Sequence, residues 1–530
     1  MRVLVAANGT RGDVQPLLAL ARSLHVAGHV VEFVTDEGHA SLLAAYNFAA
    51  RHRFPVPAQT RFSDPFVRRA METGSMLAYG VGLVRVIKRH FDADAAVLEE
   101  AFQAFQPDLL VTHPLTKFCA IPVAHAYGLD ASAILEAALQ PQTRPTRYVR
   151  HYAWEHDLSF LDPLDRAANG GLSMLYHVVV EQQTWMLLRG KVAGLARRLR
   201  LPWGAVRWGD WKRHVWRVRS VYGWSGEVLR QPADWNPREA VCTGFWYIEQ
   251  QGYIMAKELD CFLEPQGPKA LRPVCVGFGS MTVSEKLSRR LTERVLRAGR
   301  DAGVRLVLLG GWGGIGLHRL HPKKTKDYRE LVAYATSNVI EVKECPHEQM
   351  FPRCAAVVHH GGAGTTAACM KAGVPQIITP FWADQQFFAG RVQEMGCGLA
   401  LAHPRRASTK RIKAALIQAL FSSGMRNAAA DVAFKVAREP GVKAAVRAIE
   451  EACGHEPSPA IDTSTAGACG IPAAAQPARR AVRRVSSRTA LASARPRGVL
   501  RKFSRKLTDR LAELETEQGG YVVRVAGPRR

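Results

Sequence analysis

Residues 357–386 read VVHHGGAGTTAACMKAGVPQIITPFWADQQ, and the fold of the whole chain follows from how this stretch is read. Apolar residues run into two histidines, and a glycine-rich turn with two threonines then opens a helical segment that stops at Gly373, before Pro375. A second apolar run, QIITPF, follows and gives way to Ala383, Asp384 and Gln385. Strand, turn, helix and strand in that order make one parallel β-α-β unit. A loop that leaves a buried strand and enters a helix presents unpaired backbone N–H groups at the positive end of the helix dipole, so it attracts phosphate. Here Gly362 and Gly364 let the backbone approach a ligand, Thr365 and Thr366 add hydroxyl donors, and His360 stands at the strand tip with no acid nearby in sequence. The bland alternative is a tight turn whose threonines only cap the helix. Ligands of doubly wound sheets sit beyond the carboxyl ends of the strands, which puts Asp384 and Gln385 on the same crevice. A carboxylate beside an amide accepts and donates together, a pairing suited to neighbouring hydroxyls of a sugar.

The same pattern opens the chain: strand RVLVAA, turn GTRGD, helix VQPLLALARSLHVAG with a glycine stop, strand HVVEFVT. It restarts at PVCVGFGSM (273–281). Alternating short apolar strands and helices imply an α/β protein whose parallel sheets are covered on both faces, and 530 residues suffice for two such domains. Pro-rich polar segments between 235 and 270 mark the boundary. The expected division is an N-terminal domain over 1–240 with a Trp-rich helical insertion at 144–235, a C-terminal domain over 241–454 and a basic tail over 455–530. In the first opening loop Asp13 would repel a pyrophosphate, and NGTRGD does not fit G-x-G-x-x-G, so phosphate is expected in the second half. That weighs against a dehydrogenase.

Composition sets further bounds. With 47% apolar and 22% charged residues the chain is an ordinary globular one, and it has no uncharged apolar run of about 18 residues that could span a bilayer. The opening segment lacks a cleavage site for secretion, so a cytoplasmic location is expected. Ten scattered cysteines without C-x-x-C spacing read as reduced core thiols, with no metal site. Of the formal charge of +26, the tail supplies 9, from 15 Lys and Arg against 6 Asp and Glu; attraction to an anionic partner suits both parts. Eight of the eleven tryptophans fall within 144–235, which reads as a helical subdomain filling its own core, as a groove for an apolar ligand, or as stacking sites for single-stranded nucleic acid. The tail, rich in Ala, Pro, Ser and Arg, is expected to be disordered. Near its end, about 499–518, Leu500, Phe503, Leu507, Leu511 and Leu514 share one helical face, suited to docking or to peripheral contact with an anionic membrane.

The segments GTRGDVQPLLALARSL, VCVGFGSM, CPHEQMFPRCAAVVHHGGAGTTAA and AGVPQIITPFWADQQFFAGRV resemble those of the nucleotide-sugar glycosyltransferases with the GT-B fold, most similar to the sterol 3β-glucosyltransferase branch. The resemblance covers about residues 1–450. It implies two facing Rossmann-like domains, with the acceptor bound by the first, a UDP-sugar by the second, and a last helix near 425–452 that crosses back to the first. Carried over by position, it implies that His360 contacts the diphosphate, that Gly362, Gly364, Thr365 and Thr366 form the phosphate turn, and that Asp384 and Gln385 hold the sugar. Ser280 falls in the loop after the first strand of the donor domain, backbone near Pro346 and His347 meets the base, and Asp13 is the catalytic base. Glu344, Gln349 and Ala368 depart from the family's base- and ribose-binding residues. The implied activity is inverting transfer of a hexose, expected to be glucose, from a UDP-sugar to a hydroxyl of an apolar acceptor such as a sterol, with no metal or other cofactor. The alternatives are a dTDP-rhamnose-dependent transferase acting on a lipid hydroxy acid and a basic nucleic-acid-binding protein without catalysis. His359 is expected to be structural, and His113 a satisfied turn histidine or an assistant to the base.

Overall fold

The computed structural model describes residues 1–139, 144–148, 159–202, 211, 215, 217–250, 252–267, 270–312, 314–455 and 524–525. Two seven-stranded sheets organise them. In the first, β1 (Arg2–Ala6), β2 (Val30–Asp36), β3 (Arg53–Phe54), β4 (Leu109–Thr112), β5 (Ile134–Ala138), β6 (Arg219–Tyr222) and β7 (Ala240–Cys242) lie in the order 3-2-1-4-5-6-7, all parallel. The second is built from β8 (Val274–Gly277), β9 (Leu306–Leu309), β10 (Val339–Val342), β11 (Ala356–His359), β12 (Gln376–Ile378) and β13 (Gly398–Ala400), in the order 13-12-11-8-9-10 and again parallel. A two-residue strand, β14 (Arg524–Val525), adds antiparallel to β10 at the edge. The exposed edge of β10 offers free backbone partners for this short pairing. The amphipathic stretch at 499–518 lies outside the described residues.

Strands β4, β8 and β11 are buried at every position, as parallel strands covered on both faces must be, and for that reason their sequences run apolar without alternation. In each sheet the strand order reverses once, between β1 and β4 in the first and between β8 and β11 in the second. Loops that leave such neighbours diverge, which opens a crevice at their carboxyl ends. Helix α1 (Arg11–Val26) follows β1, α2 (Met76–Phe105) precedes β4, and α3 (Lys117–Ala126) follows β4. A hairpin of α4 (Asp162–Ala167) and α5 (Gly171–Arg198) precedes β6, and α5 packs on α2 and α3. In the second domain α6 (Glu285–Ala302) follows β8, α7 (Ala363–Ala372) follows β11 and α8 (Gln385–Glu394) follows β12.

The Trp-rich segment is not a separate insertion with its own core, since it ends in a strand of the first sheet. Trp185 and Trp211 stack 4.9 Å apart in the main core beneath α5, and Trp224 and Trp235 gather round Tyr222. Trp154, Trp203, Trp208 and Trp216 lie outside the described residues. After α9 (Ser423–Val436) the chain turns at Gly441 (φ +54) and α10 (Val442–Ala452) returns to the first domain. Its Ala445, Val446 and Ile449 are fully buried against α1, and Glu450 meets His29 Nε2 at 3.1 Å. The return helix belongs to an apolar cluster that contains residues of both domains.

Candidate active site

Asp13 sits in the first turn of α1, at the mouth of the first crevice. Its Oδ2 accepts from the backbone N–H of Thr10 at 2.7 Å and from the Thr10 hydroxyl at 2.9 Å, as a helix-capping carboxylate does. Gly9 makes this possible: it has φ +137, and a Cβ there would come within 2.5 Å of Asp13 Oδ2. The other oxygen, Oδ1, lies 3.7 Å from His113 Nε2. His113, in the loop after β4, is buried, and its Nδ1 accepts from Leu115 N at 3.4 Å. That bond assigns the imidazole proton to Nε2, facing Asp13. Burial holds the His113 pKa below its ordinary value, so it stands beside Asp13 as a neutral ring, at 3.7 Å beyond hydrogen-bond reach. The capping and base readings of Asp13 are therefore compatible, because different oxygens serve them.

The glycine-rich loop after β11 faces this corner from the second domain. His359 is structural: its Nε2 meets Gln376 Oε1 at 3.0 Å, and its Nδ1 accepts from Gly361 N at 3.0 Å. His360 differs in having its Nδ1 buried without a hydrogen-bond partner among the described residues. Burial lowers its pKa to about 4, so the ring is neutral at pH 7. It sits in a notch cut by two glycines, since a Cβ on Gly279 would lie 2.8 Å from its Cε1 and one on Gly362 2.5 Å from its Nε2. Gly362 caps α7, and Gly364 borders the cavity so closely to the other domain that a Cβ there would stand 3.8 Å from Gly12 Cα. The N-termini of α1 and α7 thus oppose one another across the cleft.

The two threonines part company. Thr365 lines the cavity, whereas Thr366 is fully buried off its wall, its hydroxyl without a partner. Successive helical residues are 100° apart, so the pair cannot both face a ligand. Gln385 is likewise more constrained than expected. Its Oε1 accepts from Phe381 N (2.8 Å) and Trp382 N (3.3 Å), and its Nε2 points to Met281 Sδ at 3.3 Å. It braces the turn before α8 and offers the cavity only its amide edge. Asp384 opens onto the cavity, and its pKa is raised to about 7, first by burial and then by the nearby charge of Asp13. Ser280 is half-exposed on the wall. His347, stacked on Phe351 at 4.4 Å, completes the far end, where burial lowers its pKa to about 3. Ala368 lines the same end.

Of the site residues expected from sequence, all except Thr366 border one cavity of about 640 Å³ that lies between the domains. Its other half is apolar, walled by Leu83, Val84, Ile87, Leu115, Phe118 and Leu139 of the first domain. None of the described tryptophans of 144–235 reaches it; Trp246, Trp312 and Trp382 do. Sequence reading also missed Arg11, whose guanidinium lies 3.6 Å from Glu344 across the cleft. Nothing local signals that pair, because the partners are 333 positions apart in the chain. Gly279 was findable in principle: a glycine ending the PVCVGFG run marks close backbone approach.

Comparison with known proteins agrees with this architecture. Residues 3–93 match the glycosyltransferase family 28 N-terminal domain, and residues 323–452 the erythromycin biosynthesis protein CIII-like C-terminal domain. A sterol 3-beta-glucosyltransferase of Kluyveromyces lactis is 30% identical over 452 residues, which are 84% of this chain and 34% of that protein. One of Arabidopsis thaliana is 28% identical over 455 residues, 84% of this chain and 67% of that protein. The chain thus spans about a third of the fungal relative and two thirds of the plant one. The glycosyltransferase VinC, solved in complex with DTDP, superposes with a TM-score of 0.53 at 17% identity, covering 86% of this chain and all of that one. The calicheamicin glycosyltransferase CalG4 does so with a TM-score of 0.55 at 18% identity, covering 86% of this chain and 98% of that one. These two likenesses concern the fold, which is GT-B.

Proposed function

From a chain that carries a glycosyltransferase family 28 N-terminal domain and an erythromycin CIII-like C-terminal domain on the GT-B fold, we propose an inverting glycosyltransferase. It moves a hexose, glucose in the first instance, from a UDP-sugar to a hydroxyl of a sterol or similarly apolar acceptor. One observation carries the reading: a carboxylate beside a buried neutral histidine, and a glycine-rich helix N-terminus where a His360 nitrogen has no partner among the described residues, open onto the same cavity. The sterol 3-beta-glucosyltransferase relatives support the acceptor class, and the apolar wall of the first domain fits it.

The chemistry follows from the two sides. Asp13 Oδ1 takes the proton of the acceptor hydroxyl while its oxygen attacks the anomeric carbon from the face opposite the nucleotide. The bond from that carbon to the diphosphate oxygen breaks, its electron pair leaves with the nucleoside diphosphate, and the configuration inverts. The leaving group gathers charge at the N-terminus of α7, where backbone N–H groups, the Thr365 hydroxyl and neutral His360 donate. Because His360 is uncharged, it acts through a hydrogen bond rather than as a cation. Asp384 in its ionised form accepts from sugar hydroxyls, and the Gln385 amide edge donates.

Thermal shift against UDP-, dTDP- and GDP-sugars tests the donor, since a ligand that binds only the folded state raises the melting temperature. UDP-glucose should give the largest rise, and His360→Ala should abolish it. Equal rises with all three would discard the donor assignment, and a larger rise with dTDP-rhamnose would favour the rhamnosyl alternative.

A further inference from the structure

Helix α5 packs inward through one side and keeps an apolar stripe on the opposite, outer side. Its inner side faces the cavity with His177, Val180, Glu181 and Thr184, and the core with Trp185 and Leu188. Its outer side carries Leu175, Val179 and Met186, at steps of four and seven residues that share one helical stripe. These three are 58, 37 and 57% exposed, and Leu187 beside them is 47% exposed. The hairpin adds Phe160 and Leu164, 74 and 57% exposed. The two elements are held together by buried bonds, Ser173 N to Asp165 Oδ1 at 2.9 Å and Ser173 Oγ to Asp165 Oδ2 at 2.6 Å, so their outer side chains form one surface. The water-facing side of a helix is ordinarily polar, and a contiguous apolar patch marks a docking surface.

Charge indicates what docks there. The outer side of α5 has no acid: its polar members are Gln182, Gln183, Arg189 and Arg197. Arg166 on α4 is exposed as well, and Asp162 at the start of α4 is half-exposed. No ion pair engages Arg166, Arg189 or Arg197 among the described residues, whereas Arg198 and Lys191 on the flank are paired with Glu99 and Asp92. We infer that this surface rests on an anionic lipid bilayer, its apolar side chains entering the headgroup boundary and its three free arginines meeting lipid phosphates. The occupant is a membrane rather than an acidic protein because no carboxylate interrupts the exposed apolar groups of α5, and the chain's charge of +26 draws it to an anionic plane. The inner side of the same helix borders the apolar half of the cavity, so a lipid acceptor would pass from bilayer to cavity round one helix. That last link rests on the proposed transfer; the docking itself does not.

The test uses the full chain without donor or acceptor, floated with vesicles of phosphatidylcholine alone or mixed with phosphatidylglycerol. Mixed vesicles should bind it at least about tenfold better, and the triple variant Leu175→Gln, Val179→Gln, Met186→Gln should lose about tenfold in binding while melting at the parent temperature. Hydrogen exchange should slow across residues 160–187 when mixed vesicles are added, whatever the basic tail contributes. Unchanged exchange there, or a variant that floats like the parent, overturns the inference. So does a parent that is dimeric in solution and a variant that is monomeric with vesicle binding intact, which would assign the surface to a second copy. Transfer to a water-soluble acceptor should be equal in parent and variant. If neither transfers while vesicle binding persists, the reading of the activity fails and the docking stands.

Discussion

Asp384 is the residue at which function and stability oppose each other most directly. An ordinary aspartate titrates near 3.8, but this one is raised to about 7 by burial and by the charge of Asp13. Folding therefore takes up a proton between those two values. The favourable contribution is complete below pH 3.8, drains as pH rises and is gone above 7. At about 1.4 kcal/mol per pH unit, roughly three units amount to about 4 kcal/mol lost by pH 8, of which about 1.5 kcal/mol is already lost at pH 5. Asp384→Asn removes the ionisation and keeps the shape. Urea unfolding followed by tryptophan fluorescence should find the variant more stable by about 4 kcal/mol at pH 8 and by about 1.5 kcal/mol at pH 5. The same change removes a charged acceptor for sugar hydroxyls, worth about 1.5–3 kcal/mol, so kcat/KM should fall about 10- to 100-fold. A gain equal at both pH values would refute the raised carboxyl. A variant both more stable and fully active would refute its contact with the sugar.

Asp13→Asn should leave the UDP-glucose thermal shift intact and lower kcat by about 10²- to 10⁴-fold; retained turnover would remove Asp13 as the base. Two glycines separate the two halves of the chemistry. Gly9→Ala pushes a methyl against Asp13 and should lower kcat with donor binding unchanged, whereas Gly279→Ala pushes one against His360 and should raise the donor KM; steady-state kinetics that showed the same pattern for both would contradict the division. Ile449→Ala, in the fully buried face of the return helix, should cost about 2–5 kcal/mol in urea unfolding, and a cost near zero would mean that α10 does not hold the domains together.

How far the site was readable depended on the range of the forces that build it. The strand-loop-helix units were legible because a parallel strand covered on both faces must be apolar throughout, and a phosphate-facing turn must be glycine-rich, wherever the rest of the chain goes. Asp13, His360 and Asp384 were identifiable on the same local grounds, Ser280 only through the family resemblance, and all four border the cavity. Local pattern fails at the next level of detail. Thr365 and Thr366 look alike in sequence, yet helix geometry gives one to the cavity and the other to the core. Gln385 reads as a sugar ligand, but the turn at 381–382 claims its oxygen first. Abundant tryptophan between 144 and 235 leaves a core, a ligand groove and a stacking surface open, and the described ones fill the core of the first domain, because large aromatic rings gain most where water is fully excluded.

By itself the amino-acid sequence determined two Rossmann-like sheets, the glycine-rich loop that opens a helix and the acid in the opposite loop, since each is written within about thirty consecutive residues by period, glycine and charge. Only the tertiary structure decided that His113 lies beside Asp13, that Arg11 reaches Glu344 across the cleft, that α10 packs on the first domain, and that α5 keeps an apolar side turned to the outside. These depend on which surfaces of two separately formed sheets are pressed together. Residues hundreds of positions apart meet there for reasons of shape and burial that no local pattern records.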